Sequence, residues 1–267
     1  MRSFRRAVNP EAMLVVAVCL WSLAAANVAS AAGAPHFSFR EGERLTYHYS
    51  RHMLAHGGPP TVRREDVEGQ VVLQVRRVSS DGTAEIEMVA SGKGRVVRDK
   101  TTDLTGEPWA IVFDVNRNGS IAALQDVNGN AITLEAWIGA VSAGAMIERF
   151  SVALTYALFG LQLPDKLPPA GGEWTGYHQR TVTVGQEESI RLEPVSVRFT
   201  FVGPRKYKGR DCLVFSTKPG AAGELHFPTV FYFDNTNGRL VASETHLKKL
   251  GASKRDVDIS VVLVKVE

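Results

Sequence analysis

Hydrophobic and polar residues alternate at a period of two along most of this chain. Phe37 and Phe39, then Leu45, Tyr47 and Tyr49, predict a half-buried opening strand. Residues 66–78 repeat the pattern with Val67, Val71, Leu73 and Val75. Ser79-Ser80-Asp81-Gly82 predicts a turn, and residues 83–90 return as the partner strand. Residues 109–115 and 120–125 flank Asn116-Arg117-Asn118-Gly119, a hairpin signal because Asn-Gly accepts positive φ at little cost. The later half uses the same grammar over 176–184, 189–202, 211–217, 224–234, 239–247 and 257–266, with Asp234-Asn235-Thr236-Asn237-Gly238 turning one pair. Roughly ten to twelve strands joined by short turns predict a mainly β chain with one large antiparallel, half-barrel-like sheet, since parallel pairing needs helical crossovers.

One segment breaks the period. Residues 132–163 are apolar and rich in alanine, and Trp137 with Val141, and Phe150 with Leu154 and Leu158, fall at helical spacing. Gly160 and Pro164 close the segment. The pattern predicts one long helix or two shorter ones, apolar over more than a narrow stripe and therefore covered on several sides. A large twisted sheet curls, and its concave face needs apolar cover. The insert is expected to supply it, with Trp137, Val141, Met146, Phe150, Leu154 and Leu158 facing the sheet and any ligand. Two interiors follow from this arrangement. Small residues such as Ala140, Ala143, Gly144 and Ala145 favour a solid core, whereas a cavity between sheet and insert suits a lipid-like molecule.

The first residues carry a different signal. MRSFRR is basic, residues 12–23 are apolar, and Ala29-Ser30-Ala31 offers a small-residue cleavage site, so residues 1–31 read as a secretory signal peptide. Residues 32–267 are then expected to be a single β-rich domain, exported to the periplasm or beyond the cell. The apolar block is too short to span a bilayer, and no second long apolar run predicts a transmembrane segment in the mature chain. Losing Arg2, Arg5, Arg6 and Glu11 takes the formal net charge from +3 to +1. Near-neutral charge gives no electrostatic reason to bind nucleic acid. Of the two cysteines, Cys19 lies in the leader behind Val18, a poor lipoprotein signal. Only Cys212 remains, so no internal disulfide is expected.

Candidate chemistry is sparse. Asp114, Asn116, Asn118, Gly119 and Ile121 match the opening positions of an EF-hand loop, but Gln125 stands where a bidentate carboxylate belongs, so a plain hairpin is expected. His48, His52 and His56 are spaced by four; on a strand His48 and His52 share a face about 13 Å apart, too far for one ion. Cys212 reads as a buried thiol, although His178 or His226 could approach it in space. Arg205, Lys206, Lys208 and Arg210 read as a solvated turn. Motifs of hydrolases, metalloproteases and nucleotide-binding loops do not occur. No catalytic residue, metal or cofactor is expected, and an enzyme is the less favoured class.

Three stretches together carry a resemblance: Gly42-Glu43-Arg44-Leu45-Thr46-Tyr47, the Asn-x-Asn-Gly hairpin before the apolar insert, and Leu163-Pro164, Pro168-Pro169 and Gly172-Glu173-Trp174 after it. The layout resembles bacterial envelope proteins whose curved sheets are similar to those of the lipoprotein carriers LolA and LolB and of LppX. The resemblance implies a half-barrel plus helices enclosing an apolar cavity for acyl chains, without the anchoring cysteine of LolB. It carries over no individual lipid-contacting residue. The leading expectation is a non-enzymatic envelope protein holding a hydrophobic small molecule, a lipid or lipidated chain, between sheet and helices. The alternatives are an interaction or structural module with a solid core, whose protein partner the sequence does not name, and a secreted hydrolase with a nonstandard site.

Overall fold

The computed structural model describes residues 34–56, 64–97, 101–105, 108–125, 128–131, 154, 157–184, 189–218, 228–250 and 255–267. The alternating segments form twelve strands: β1 (Arg44–Ala55), β2 (Arg64–Val78), β3 (Ala84–Val97), β4 (Thr101–Thr105), β5 (Trp109–Val115), β6 (Ile121–Gln125), β7 (Glu173–Val184), β8 (Ser189–Tyr207), β9 (Arg210–Thr217), β10 (Thr229–Asp234), β11 (Arg239–Leu250) and β12 (Arg255–Val266). They make one sheet in the order β6-β5-β3-β2-β1-β12-β11-β10-β9-β8-β7, with β4 beside β3. Every pairing is antiparallel. The chain is thus mainly β, with one large antiparallel sheet.

The order has a consequence for shape. The first half winds outward from β1 to the edge at β6, and the second half starts at the opposite edge, β7, and winds back until β12 pairs β1. Turn residues Arg117 and Asn118 at the end of β5 are nine strand steps from β7, about 43 Å along a flat sheet at ordinary strand spacing. Yet two consecutive residues touch both. The Leu163 N–H donates to the Asn118 carbonyl at 2.8 Å. The Gln162 carbonyl accepts from the Trp174 indole N–H at 2.9 Å, and the Gln162 side-chain amide pairs with both backbone groups of Tyr177 on β7. The sheet is therefore curved enough to bring its two edges together at this end.

A second crossing tightens the same end. The Phe37 N–H donates to the Arg117 carbonyl and the Ser38 N–H to the Gly238 carbonyl, tying the β5–β6 turn to the β10–β11 turn. Gly119 (φ +92°) makes the closure possible, because a Cβ there would meet the Leu161 carbonyl oxygen and the Phe37 ring. Phe37 packs edge-on against Phe233 at 5.1 Å between ring centroids and stacks on Phe39 at 5.9 Å. These two phenylalanines alternate like a strand in sequence, yet they belong to a crossing arm. Their apolar face packs at the tied end of the sheet rather than against a strand partner.

One continuous core cluster lines the concave side. Leu154 and Ala157 to Phe159, the described helical part of the insert, join it together with Leu161 and Leu163. Phe159 lies 5.3 Å from the Phe113 ring. The rest of the expected helix, including Trp137, Val141, Met146 and Phe150, lies outside the described residues. Several strands depart from the sequence reading, among them β1, which starts at Arg44 and runs to Ala55, β7, which starts at Glu173, and β11, which runs to Leu250. β8 runs on to Tyr207 through a bulge between Phe201 and Gly203, β3 continues to Val97, and β4 has no alternating signal of its own.

An ion pair is buried in the closed end. Glu43, just before β1, pairs with Arg239 at the start of β11, and their side chains are only 6% and 12% exposed. The Tyr47 hydroxyl donates to the Leu240 carbonyl at 3.0 Å beside them, and its burial pushes the phenol well above its ordinary pKa. Removing one member leaves the other charge buried and unpaired. Glu43→Ala is therefore expected to lower unfolding stability by about 3 kcal/mol in urea titrations. A loss below about 1 kcal/mol would mean that the pair is effectively solvated.

Candidate functional site on the inner face

Register fixes which side chains share the concave face, because directly paired residues point the same way. One row runs Phe201–Phe215–Phe231–Ser243–Val261–Tyr49–Gly69–Gly92 across eight strands. Toward the closed end the neighbouring residues are apolar: Leu263, Tyr47, Val71 and Ala90, then Leu45, Leu73, Met88 and Ile111. Aromatic density is highest beside β7, where Trp174 stacks on Phe199 at 5.4 Å and meets Phe215 edge-on at 5.6 Å.

Toward the other end the same face becomes polar. Thr229, Thr245, Ile259, Arg51, Val67 and Gly94 form the next row. The Thr229 and Thr245 hydroxyls are 2.8 Å apart, and Thr217 Oγ1 accepts from the Thr229 N–H at 2.9 Å. Arg51 pairs with Glu65 at 3.2 Å, and Glu65 is only 2% exposed. Ser243 is 1% exposed, and its Oγ has no hydrogen-bond partner among the described residues. An orphan buried hydroxyl costs about 1–3 kcal/mol, which an alanine there would avoid. Tyr49 lies across Gly69 and Gly92, where a Cβ would meet its ring or hydroxyl, and burial pushes its phenol to about 12.

Leu154 and Leu158, two of the six residues expected at the ligand face, are buried in this core. Arg51, Glu65, Ser243 and the three threonines were not singled out by motif. A signal existed all the same: Arg51 continues the period-two series Leu45, Tyr47, Tyr49, and Glu65 precedes Val67 by two. Polar residues occupying apolar slots mark them.

The convex face takes the other candidates. His52 and His48 share it, as the strand spacing implies. His52 belongs to a row that alternates basic and acidic residue types, His246–Asp258–His52–Asp66–Arg95–Asp103, crossing six strands. His246 contacts Asp258 at 2.7 Å and His52 contacts Asp66 at 3.0 Å. Burial raises the Asp66 pKa, but hydrogen bonds from His52 and Arg64 outweigh it and hold the carboxyl below its ordinary value. No group of three metal-ligating side chains gathers among the described residues. The 114–125 segment is a hairpin: Asn118 Oδ1 accepts from the Ser120 N–H and hydroxyl, Asn116 Nδ2 donates to Ser120 Oγ, and Asn116 Oδ1 accepts from the Thr83 hydroxyl before β3. Arg205, Lys206, Lys208 and Arg210 are exposed around the β8–β9 turn.

Cys212 is buried on the convex side, where Tyr207 and Tyr232 share the Glu244 carboxylate. Burial and then the nearby Asp234 charge raise its thiol pKa, the reverse of what a nucleophile needs. The side chain of His178 and the whole of His226 lie outside the described residues.

Fold and site together define a curled single-sheet β protein with a buried, mostly apolar inner face that carries hydroxyls and one ion pair among its aromatic residues. No family model matches the chain, and no curated protein matches it. Among solved structures, it is similar to lipovitellin, studied for its lipid–protein interactions, at 11% identity and a TM-score of 0.43, with 86% of this chain and 26% of that one covered. The chain thus spans about a quarter of lipovitellin's length. It is also similar to a DUF1329 family protein from Desulfovibrio piger (6% identity, TM-score 0.25, 85% of each chain). A third similarity is to an outer membrane lipoprotein-sorting protein domain from Vibrio parahaemolyticus (8% identity, TM-score 0.18, 83% of this chain and 84% of that one). At identities and scores this low, none of them assigns a ligand to this chain.

The thiol offers a check on the site. Cys212 in the folded protein is expected to react with iodoacetamide at neutral pH at least roughly tenfold more slowly than in urea. Rates equal to those in urea, followed by mass spectrometry, would indicate an exposed thiol, and faster ones an activated thiolate of the kind a nucleophile needs.

Proposed function

We propose that this chain is an exported, non-enzymatic envelope protein whose residues 32–267 form one domain and bind an apolar ligand, a lipid or lipidated chain, between the sheet and the insert. The observation that supports this most is the inner face. It is a single apolar surface continuous from β5 to β8, closed at one end by Phe37 and Leu161 to Leu163, and turning polar at the other. Binding sites for amphiphilic small molecules have this composition: mostly apolar, with a few placed polar groups. No helix among the described residues is long and apolar enough to cross a membrane. Leu154 and Leu158 belong to the proposed contact surface, together with Trp137, Val141, Met146 and Phe150.

A specific observation favours a second reading. Leu154, Leu158, Phe159, Leu161 and Leu163 are each at most 5% exposed, as a solid core would have them. Native mass spectrometry of mature protein from an exporting host, with organic extraction in parallel, separates the two. The carrier reading expects an adduct of lipid mass that extraction removes. Leu158→Gln is expected to lower its occupancy several-fold while circular dichroism still reports a β fold. A clean apo mass with no uptake of a hydrophobic dye would overturn the carrier reading and leave a solid-core interaction module.

A further inference from the structure

Resting on that reading, we propose that Ser243 and its inner-face neighbours form a subsite for an uncharged, hydrogen-bonding head group, an ester or alcohol, at the end of an acyl chain. Ser243 supplies a buried hydroxyl without a partner among the described residues. It stands in register between Phe231 and Val261, two apolar core residues, so its oxygen is directed to the interior rather than to solvent. Two positions along β11, Thr245 continues the polar surface through its hydroxyl contact with Thr229, and Arg51 enters the same row beyond Ile259.

Charge selects the head group. Arg51 is the cation of this surface and Glu65 already neutralises it at 3.2 Å, so the described polar residues of the inner face sum to no net charge. An ionised carboxylate or phosphate seated here would compete with Glu65 for Arg51 and leave one buried charge uncompensated. A neutral ester or alcohol takes the Ser243 hydrogen bond without that penalty, and its chain lies along Ser243's own row, over Phe231, Phe215 and Phe201. The geometry therefore points to acylglycerol-like or ester-bearing ligands over free fatty acids.

The test compares tail-matched amphiphiles on the mature protein: 1-palmitoylglycerol, palmitate at pH 8, and a headless hydrophobic dye, by fluorescence displacement and calorimetry. Palmitoylglycerol is expected to bind about tenfold more tightly than palmitate. Ser243→Ala removes an unpartnered atom, so it is expected to fold; it should weaken palmitoylglycerol roughly fivefold and leave the dye unchanged. Palmitate binding as tightly as palmitoylglycerol, or an unaltered Ser243→Ala variant, would overturn the subsite while dye uptake upheld the carrier. If the wild-type protein takes up neither amphiphile nor dye, both proposals fail.

Discussion

The structure depends on closing one end of a curled sheet. An antiparallel sheet of this width exposes two edges and one large apolar face unless something draws them together. Gln162 and Leu163 do so directly. The Gln162 side-chain amide imitates a strand partner for Tyr177 on β7, while the next residue donates to the turn at the other side. The arm at Phe37 and Ser38 adds a second tie between the β5–β6 and β10–β11 turns. The buried Glu43–Arg239 pair then fixes the start of β1 to β11 across β12. Small residues are required where these crossings meet, as at Gly119, because the backbones approach too closely for any side chain.

Closure at one end gives the interior a direction. The apolar rows through Leu45 and Tyr47 lie toward the ties, and the threonine hydroxyls with the Arg51–Glu65 pair lie farther along the strands, in the row that also holds Phe199 and Trp174. A face intended only to pack would gain from alanine or valine at Ser243 and from an apolar pair at Arg51 and Glu65, since buried ion pairs are often no better than their apolar replacements. The polar positions are thus costly for packing alone. They are intelligible in a surface that receives a ligand with one polar end.

Much of this was legible in the sequence because a strand has a period of two. Leu45, Tyr47 and Tyr49 identify both the strand and its inner face, and the Asn116–Gly119 turn fixes the β5–β6 hairpin. Where periodicity failed, another force had won. Phe37 and Phe39 alternate but serve as a cap, because end closure offers them more apolar contact than a strand partner would. β4 escaped notice because five residues, Thr101–Thr105, carry no alternation. The row of alternating basic and acidic residues through His52 is a property of register across six strands, and no local window contains it. The polar inner positions were visible only as interruptions of an apolar series, which acquire meaning once pairing shows that they adjoin.

The central claim is that an acyl chain lies against the concave face. Photo-crosslinking with an acylglycerol carrying a diazirine in its tail, with adducts assigned to individual residues by mass spectrometry, measures this most directly. The account predicts adducts on inward-facing positions such as Phe199, Phe215, Phe231, Leu154 and Leu158, and none on their convex neighbours Val214, Tyr232 and Glu244. Adducts confined to the convex face, or no saturable labelling at all, would contradict it.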